Sequence, residues 1–149
     1  DMLRRILRNM DLSENEIDES IYDAMLLSVD VAHALHPNKK EKMDITNKPV
    51  MGKGFCIKQA CSQSYATDAQ AIAILCQLCD EKGIPYQRFV NRSDSRGGST
   101  LGSIAGTLLP VKTVDIGIPI LAMHSACELM GVRDMKALSD CVTAFFGYH

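Results

Sequence analysis

The feature that most constrains the fold is an alternation of short apolar strand segments with amphipathic helical segments. The expected strands are apolar throughout or alternate with a period of two, whereas the expected helices carry apolar residues three and four positions apart. Strands are predicted at 24–31, 54–59, 86–90 and 113–118, and helices from residue 3, over 68–82, after residue 100 and from about 134 to 146. Strands separated by helices predict a layered α/β domain with a largely parallel sheet.

Polar segments separate these elements. The acidic stretch 13–20 is expected to be a solvated connection, and the lysine-rich stretch 37–53, which contains Pro49, is expected to be a loop. Residues 91–98 predict a turn, after which Ser99 or Thr100 caps the next helix. A chain of 149 residues suits one domain with its own core.

Composition argues against two classes of partner. The net charge is −2, Trp is absent, and no basic patch alternates with aromatic residues, so nucleic-acid binding is not expected. No apolar segment approaches the length of a membrane-spanning helix, and no signal peptide opens the chain. The expected partners are therefore neither nucleic acids nor membranes.

The six cysteines favour core packing over thiol chemistry. Cys76 and Cys79 form a CxxC pair within a predicted helix, where both fall on the apolar stripe, and Cys141 holds a similar position in the last helix. A second CxxC, which a structural zinc knuckle needs, is missing. Free thiols are typical of a reducing compartment, so we expect a cytoplasmic protein.

The segment 28–38 (SVDVAHALHPN) carries the first candidate for a metal site. Asp30 lies at the end of the predicted strand 24–31, with His33 and His36 after it, and a carboxylate with imidazoles suits a divalent cation. His124 follows the later apolar stretch 113–123, so a parallel sheet could bring it towards Asp30. Taken singly, an aspartate at a strand end more often accepts a hydrogen bond from a loop amide, and a lone histidine is more often structural than a ligand.

Three further features could contact a ligand. Lys58 points away from Phe55 and Ile57 in the predicted strand and could bind a carboxylate. Tyr65 could donate a hydrogen bond to a carbonyl or an oxyanion. The turn 94–100 leads into a helix whose backbone amides could hold an anion. A solvated lysine and an interface tyrosine are the structural alternatives.

Four ordered segments resemble one family. These are 28–38 (SVDVAHALHPN), 57–68 (IKQACSQSYATD), 94–103 (DSRGGSTLGS) and 113–125 (TVDIGIPILAMHS). Together they resemble the C-terminal part of the aspartyl aminopeptidase and aminopeptidase I family of metallopeptidases. The resemblance implies that residues 1–149 form the C-terminal portion of the catalytic domain. It further implies a three-layer αβα sandwich around a mostly parallel or mixed sheet, part of a zinc exopeptidase-like fold.

The resemblance also implies roles for individual residues. Asp30 would bind one divalent metal and His124 a second, with zinc as the expected ion and manganese or cobalt as alternatives. His33, Lys58 and Tyr65 would match substrate-contacting positions. His36 would orient the residues of the site without itself contacting the metal or the substrate. The implied reaction removes acidic or neutral N-terminal amino acids from peptides, in an enzyme that forms a homo-oligomer.

The chain departs from the family pattern in one important respect. Family members carry a Glu-Glu pair with the general base and a metal ligand, and no such pair occurs here. The remaining ligands are expected in an N-terminal half that this sequence lacks, so the isolated chain is expected to be inactive. The alternatives are a non-catalytic scaffold or binding domain that retains the peptidase fold, and, less favoured, a thiol redox protein using Cys76 and Cys79.

Overall fold

A computed structural model describes residues 2–95 and 97–147. The chain forms five α-helices and five strands within these ranges, with one 3₁₀ turn at Lys40–Lys42. The helices are α1 (Met2–Asn9), α2 (Glu14–Asp23), α3 (Ala69–Lys82), α4 (Leu101–Leu108) and α5 (Val132–Phe146). The strands are β1 (Met25–His33), β2 (Phe55–Gln59), β3 (Tyr86–Val90), β4 (Lys112–Leu121) and β5 (Leu129–Met130).

The sheet is mixed, with the strand order β1-β4-β2-β3 and β5 paired to β4. β1 runs parallel to β4, and β2 runs parallel to β3. β2 and β4 are antiparallel, as are β4 and β5. The expectation of a largely parallel sheet is thus corrected, while the mixed αβα architecture is confirmed. The short strand β5 escaped prediction because two residues carry no readable period.

One face of the sheet holds the main apolar core. Its strand residues lie against α3 and α5, and the fully buried members include Phe55, Ile57, Leu75, Val114, Ile116 and Cys141. Asp68 caps α3 by accepting hydrogen bonds from the amides of Gln70 and Ala71. As predicted, Cys79 lies in this core, with its Sγ 3.8 Å from that of Cys141. The hydrogen bond between the two thiols and their burial raise the pKa of Cys79, so this thiol stays protonated.

The opposite face is polar at its centre and is covered by α4. A Cβ added to Gly102 of α4 would lie 2.7 Å from both Asp115 Oδ1 and the Ser28 Cβ, so the helix approaches the sheet closely there. Asp115 and Lys58 pair across β4 and β2 and are both buried. The two faces therefore separate the apolar core from a layer of buried charge.

Residues 13–20 form most of α2 rather than the expected solvated connection. The Ser13 side chain accepts from the Glu16 amide, while the Glu16 carboxylate accepts from the Ser13 amide, which completes a capping box. Ile17 and Ile21, four residues apart, are buried. The Ser-x-x-Glu spacing and these two isoleucines were the signals that an assignment based on acidity alone overlooked.

None of the helices in the described ranges is long and apolar enough to span a membrane.

Candidate functional site

The centre of the candidate site is an ion pair between two strands of the polar face. Lys58 Nζ lies 3.2 Å from Asp30 Oδ2 and donates a second hydrogen bond, at 3.1 Å, to the carbonyl oxygen of Val31. The Lys58 side chain is 3% exposed, whereas that of Asp30 is 49% exposed. Asp30 lies inside β1, level with Gly117 of β4, and the strand continues beyond the expected end to His33. A buried ammonium thus faces an open carboxylate.

Tyr65 extends this cluster from the segment that follows β2. Lys58 Nζ lies 4.8 Å from the centre of the Tyr65 ring, within the range of a cation–π contact. The ring of Phe89 lies at 6.1 Å on another side, and the phenol oxygen accepts a hydrogen bond of 3.0 Å from Asn91 Nδ2. Tyr65 is only 6% exposed. The structure therefore brings Asp30, Lys58 and Tyr65 together from two separate sequence segments.

His33 links this cluster to His124. Burial lowers the pKa of His33, and the nearby charges of His124 and Lys58 lower it further. A lowered pKa keeps the His33 imidazole neutral at pH 7.

His124 lies in a strained turn after β4. Its φ is 68° and that of Ala122 is 57°, both in the left-handed region that favours glycine. Glu128 Oε1 accepts a hydrogen bond from the His124 amide at 2.6 Å, which helps to hold the turn. Strain of this kind is enriched where a side chain must be placed for function.

His36 lies beside His33 on a cleft of about 510 Å³. Its Nδ1 accepts a hydrogen bond from the Asn38 amide at 3.1 Å, which leaves Nε2 to carry the proton of the neutral ring. The same cleft is bordered by Tyr65 and Asn91. The expected orienting role of His36 stays a prediction.

The expected capping of α4 by Ser99 or Thr100 is only partly correct. Thr100 occupies the N-cap position but makes no side-chain hydrogen bond to the helix. Its hydroxyl donates instead to Asp115 Oδ2 at 2.6 Å, and the Ala66 amide donates to the same oxygen. Arg96, within the turn expected to hold an anion, lies outside the described residues.

Sequence reasoning missed two residues of this site. Asp115 lies in an apolar strand, on the face opposite Val114 and Ile116, and is fully buried. The signal in the sequence was a lone aspartate within an otherwise apolar strand. Asn91 directly follows β3, where nothing in the sequence marked it out from other turn residues. Both hold the segment that carries Tyr65.

The donors present fit part of a metal site. Within the described ranges, no three His, Cys, Asp or Glu side chains form a group that could hold an ion. Asp30 nevertheless offers an open carboxylate next to a cation, and His124 offers an imidazole on a strained turn. Oxygen and nitrogen donors of this kind suit zinc, but further ligands are needed to complete its coordination.

Comparisons with known proteins match the chain to one family along nearly its whole length. The family model described as aminopeptidase I zinc metalloprotease (M18) matches residues 1–146. A probable M18 family aminopeptidase 2 of Clostridium novyi is 48% identical over 137 residues, which cover 89% of this chain and 32% of the relative. A second one, from Clostridium acetobutylicum, is 44% identical over 146 residues, covering 98% and 34%. The chain thus spans about a third of the length of these curated relatives.

Solved structures show the same fold. The structure of the Ape4 and Nbr1 complex matches with a TM-score of 0.87 and 34% identity, over 91% of this chain and 26% of that one. The S. cerevisiae mApe1 dodecamer matches with a TM-score of 0.78 and 25% identity, over 88% and 28%. The fold, the ordered segments and the match along nearly the whole sequence lead to one conclusion: the chain belongs to the M18 family of zinc metalloproteases, the aminopeptidase I family.

Proposed function

We propose that this chain forms part of a metal-dependent aminopeptidase that removes acidic or neutral N-terminal residues from peptides. The observation that carries the proposal is the convergence of Asp30, Lys58 and Tyr65 on one polar face, in a chain of the M18 family. These side chains come from two separate segments of the sequence, and only the fold brings them together.

Asp30 and His124 are the proposed metal ligands, one for each of two divalent ions, with zinc as the expected metal. When bound, such ions polarise a scissile carbonyl and lower the pKa of a coordinated water. Asp30 presents its half-exposed carboxylate to the open side of the sheet. The backbone of His124, held by Glu128, fixes the direction in which the imidazole leaves β4.

The remaining side chains would act on the peptide. Tyr65 would donate its hydroxyl hydrogen to the oxygen that becomes negative in the tetrahedral intermediate. His33, kept neutral by its lowered pKa, could donate one hydrogen bond without adding charge. Lys58, whose side chain is 3% exposed, would act mainly through the ion pair that holds Asp30, and its charge would favour an acidic substrate side chain only at a distance.

The site is proposed to be completed by other parts of a longer protein. The chain covers about a third of its curated relatives, and its described residues lack a three-donor group. The missing N-terminal part would supply the other ligands and the general base, and the full-length protein is proposed to be a cytoplasmic homo-oligomer. The mApe1 structure is that of a dodecamer, and all six cysteines here are free thiols, which is consistent with a reducing compartment.

Replacement of Asp30 tests the proposal. In the full-length protein, Asp30→Ala should abolish hydrolysis of aminoacyl-p-nitroanilides assayed with added zinc, manganese or cobalt. The thermal unfolding midpoint should fall, because the buried Lys58 ammonium loses its carboxylate partner, so activity is measured well below the midpoint of the variant. Acidic and neutral aminoacyl groups, compared in the same assay, define the substrate class.

The matched control is Asp140→Ala. This exposed carboxylate of α5 pairs with Lys136, at 2.6 Å in the i,i+4 arrangement, and lies in no part of the proposed site. The control should keep full activity. Full activity in Asp30→Ala would refute the metal-ligand assignment.

A further inference from the structure

The Tyr65 hydroxyl is held by a residue to which the proposed reaction assigns no role. Asn91 Nδ2 lies 3.0 Å from the phenol oxygen and donates to it. A phenol has a single hydrogen to donate. An oxygen that accepts from Asn91 must therefore send its own hydrogen in another direction.

That direction is restricted because Tyr65 is enclosed on its other sides. The ring contacts Phe89 and lies under the ammonium of Lys58. The backbone on either side is also fixed, since the Ser64 carbonyl accepts from the Thr100 amide at 3.2 Å and the Ala66 amide donates to Asp115. Tyr65 is only 6% exposed. The open space that it borders is the cleft shared with His33 and His36.

At Gly97 the backbone passes so close to Asn91 and Tyr65 that a side chain there would disturb their hydrogen bond. A Cβ added to Gly97 would lie 2.0 Å from Asn91 Nδ2 and 3.2 Å from the Tyr65 hydroxyl. The first distance is far below van der Waals contact, so Asn91 would have to move. Gly97 thus leaves the space that the Asn91–Tyr65 hydrogen bond occupies.

We propose that Asn91 is a positioning residue that turns the Tyr65 hydroxyl into a hydrogen-bond donor directed at the substrate oxygen. The amide occupies an acceptor position of the phenol oxygen and leaves the O–H free to point into the cleft that both residues border. The proposal rests on the proposed function, in which Tyr65 stabilises an oxyanion. It adds that the direction of one hydrogen bond sets the strength of that stabilisation.

The test is Asn91→Asp in the full-length protein, which keeps the shape of the side chain but exchanges the donor for an acceptor. The carboxylate would accept a hydrogen bond from the phenol O–H. The O–H would then no longer donate to the substrate. Loss of one oxyanion donor costs about 10²–10³-fold in kcat, so we expect a fall of at least about tenfold. KM should change by less than about threefold, because the donation strengthens in the transition state.

Asn91→Ala is the matched variant, since it removes the donor without adding an acceptor. The phenol hydrogen can then still reach the substrate, so kcat should lie between those of the parent and Asn91→Asp. Asn15→Asp, on the exposed surface of α2, controls for the added charge and should behave as the parent. Thermal unfolding midpoints establish that the variants are folded.

A double-mutant cycle separates positioning from simple structural support. In a Tyr65→Phe background, neither Asn91→Asp nor Asn91→Ala should lower kcat further, because the hydroxyl they act on is gone. Additive losses would overturn the proposal, as would parent-like kcat in Asn91→Asp. If Asn91→Asp does not fold, the cycle with Asn91→Ala decides. Full activity in Tyr65→Phe alone would instead refute the role of Tyr65 in the proposed function.

Discussion

At the scale of single residues, buried charge on the polar face organises the candidate site. Lys58 and Asp115 are register partners on β2 and β4, and both are almost completely buried. Lys58 is satisfied by Asp30 and a carbonyl, and Asp115 Oδ2 by Thr100 and Ala66. Among the described residues, Asp115 Oδ1 has no hydrogen-bond partner. A buried charged group is costly unless it is hydrogen-bonded. Lys58 and Asp115 therefore fix the segments that supply their hydrogen-bond partners.

Asp115→Ala should therefore lower the free energy of unfolding by about 2–6 kcal/mol. The reason is that the Thr100 hydroxyl and the Ala66 amide would both lose their acceptor, at about 1–3 kcal/mol for each buried donor. Urea unfolding of the full-length protein measures the change, with the exposed Asp140→Ala as control. A loss no larger than that of the control would show that Asp115 does not hold these two segments.

At the scale of elements, capping and close approach decide where helices and strands begin. The capping box of Ser13 and Glu16 starts α2 within an acidic stretch that looks like a solvated loop. Gly83 ends α3 in the left-handed conformation, with φ 65°. Gly54 leads into β2 with φ 102°, and a Cβ there would lie 2.1 Å from the carbonyl oxygen of Pro85. The two glycines thus serve different purposes.

Gly54→Ala should be clearly more destabilising than Gly83→Ala. At Gly83 nothing lies within 4 Å of an added Cβ, so the cost is the backbone strain alone, about 1–2 kcal/mol. At Gly54 the same strain is joined by a clash with backbone that cannot move without disturbing the start of β3. Urea unfolding midpoints of the two variants provide the comparison. Equal midpoints would mean that the approach of Pro85 imposes no constraint.

At the scale of the whole molecule, the apolar core and the proposed metal ligands lie on different parts of the described structure. The sheet, α3 and α5 enclose a continuous apolar cluster. The proposed metal ligands, in contrast, are Asp30 and His124. The described part of the chain contains no group of three donors that could hold an ion. A fold can persist with such a division because packing and metal binding depend on different residues.

The isolated chain should consequently bind zinc weakly and show no aminopeptidase activity. Two donors assigned to separate ions leave each ion short of the four ligands typical of zinc. Isothermal titration calorimetry of the isolated chain with zinc measures the affinity, with Asp30→Ala as the comparison. Tight binding of two ions per chain would contradict the proposed division of the site.

The sequence by itself determined most of the elements, though not α2 or β5, and the chemical types of the proposed site residues. Local patterns predicted α3 and β3 within a residue because a capping aspartate, a terminal glycine and periodic apolar residues act over a few positions. The strand orientation and the partners of Asp30 and Tyr65 were decided only by the tertiary structure. The antiparallel pairing of β2 with β4 puts Lys58 next to Asp115 on the polar face. The end of β3 brings Asn91 into hydrogen-bond contact with Tyr65. Such contacts join residues 26 or more positions apart, and no local period records which segments will meet.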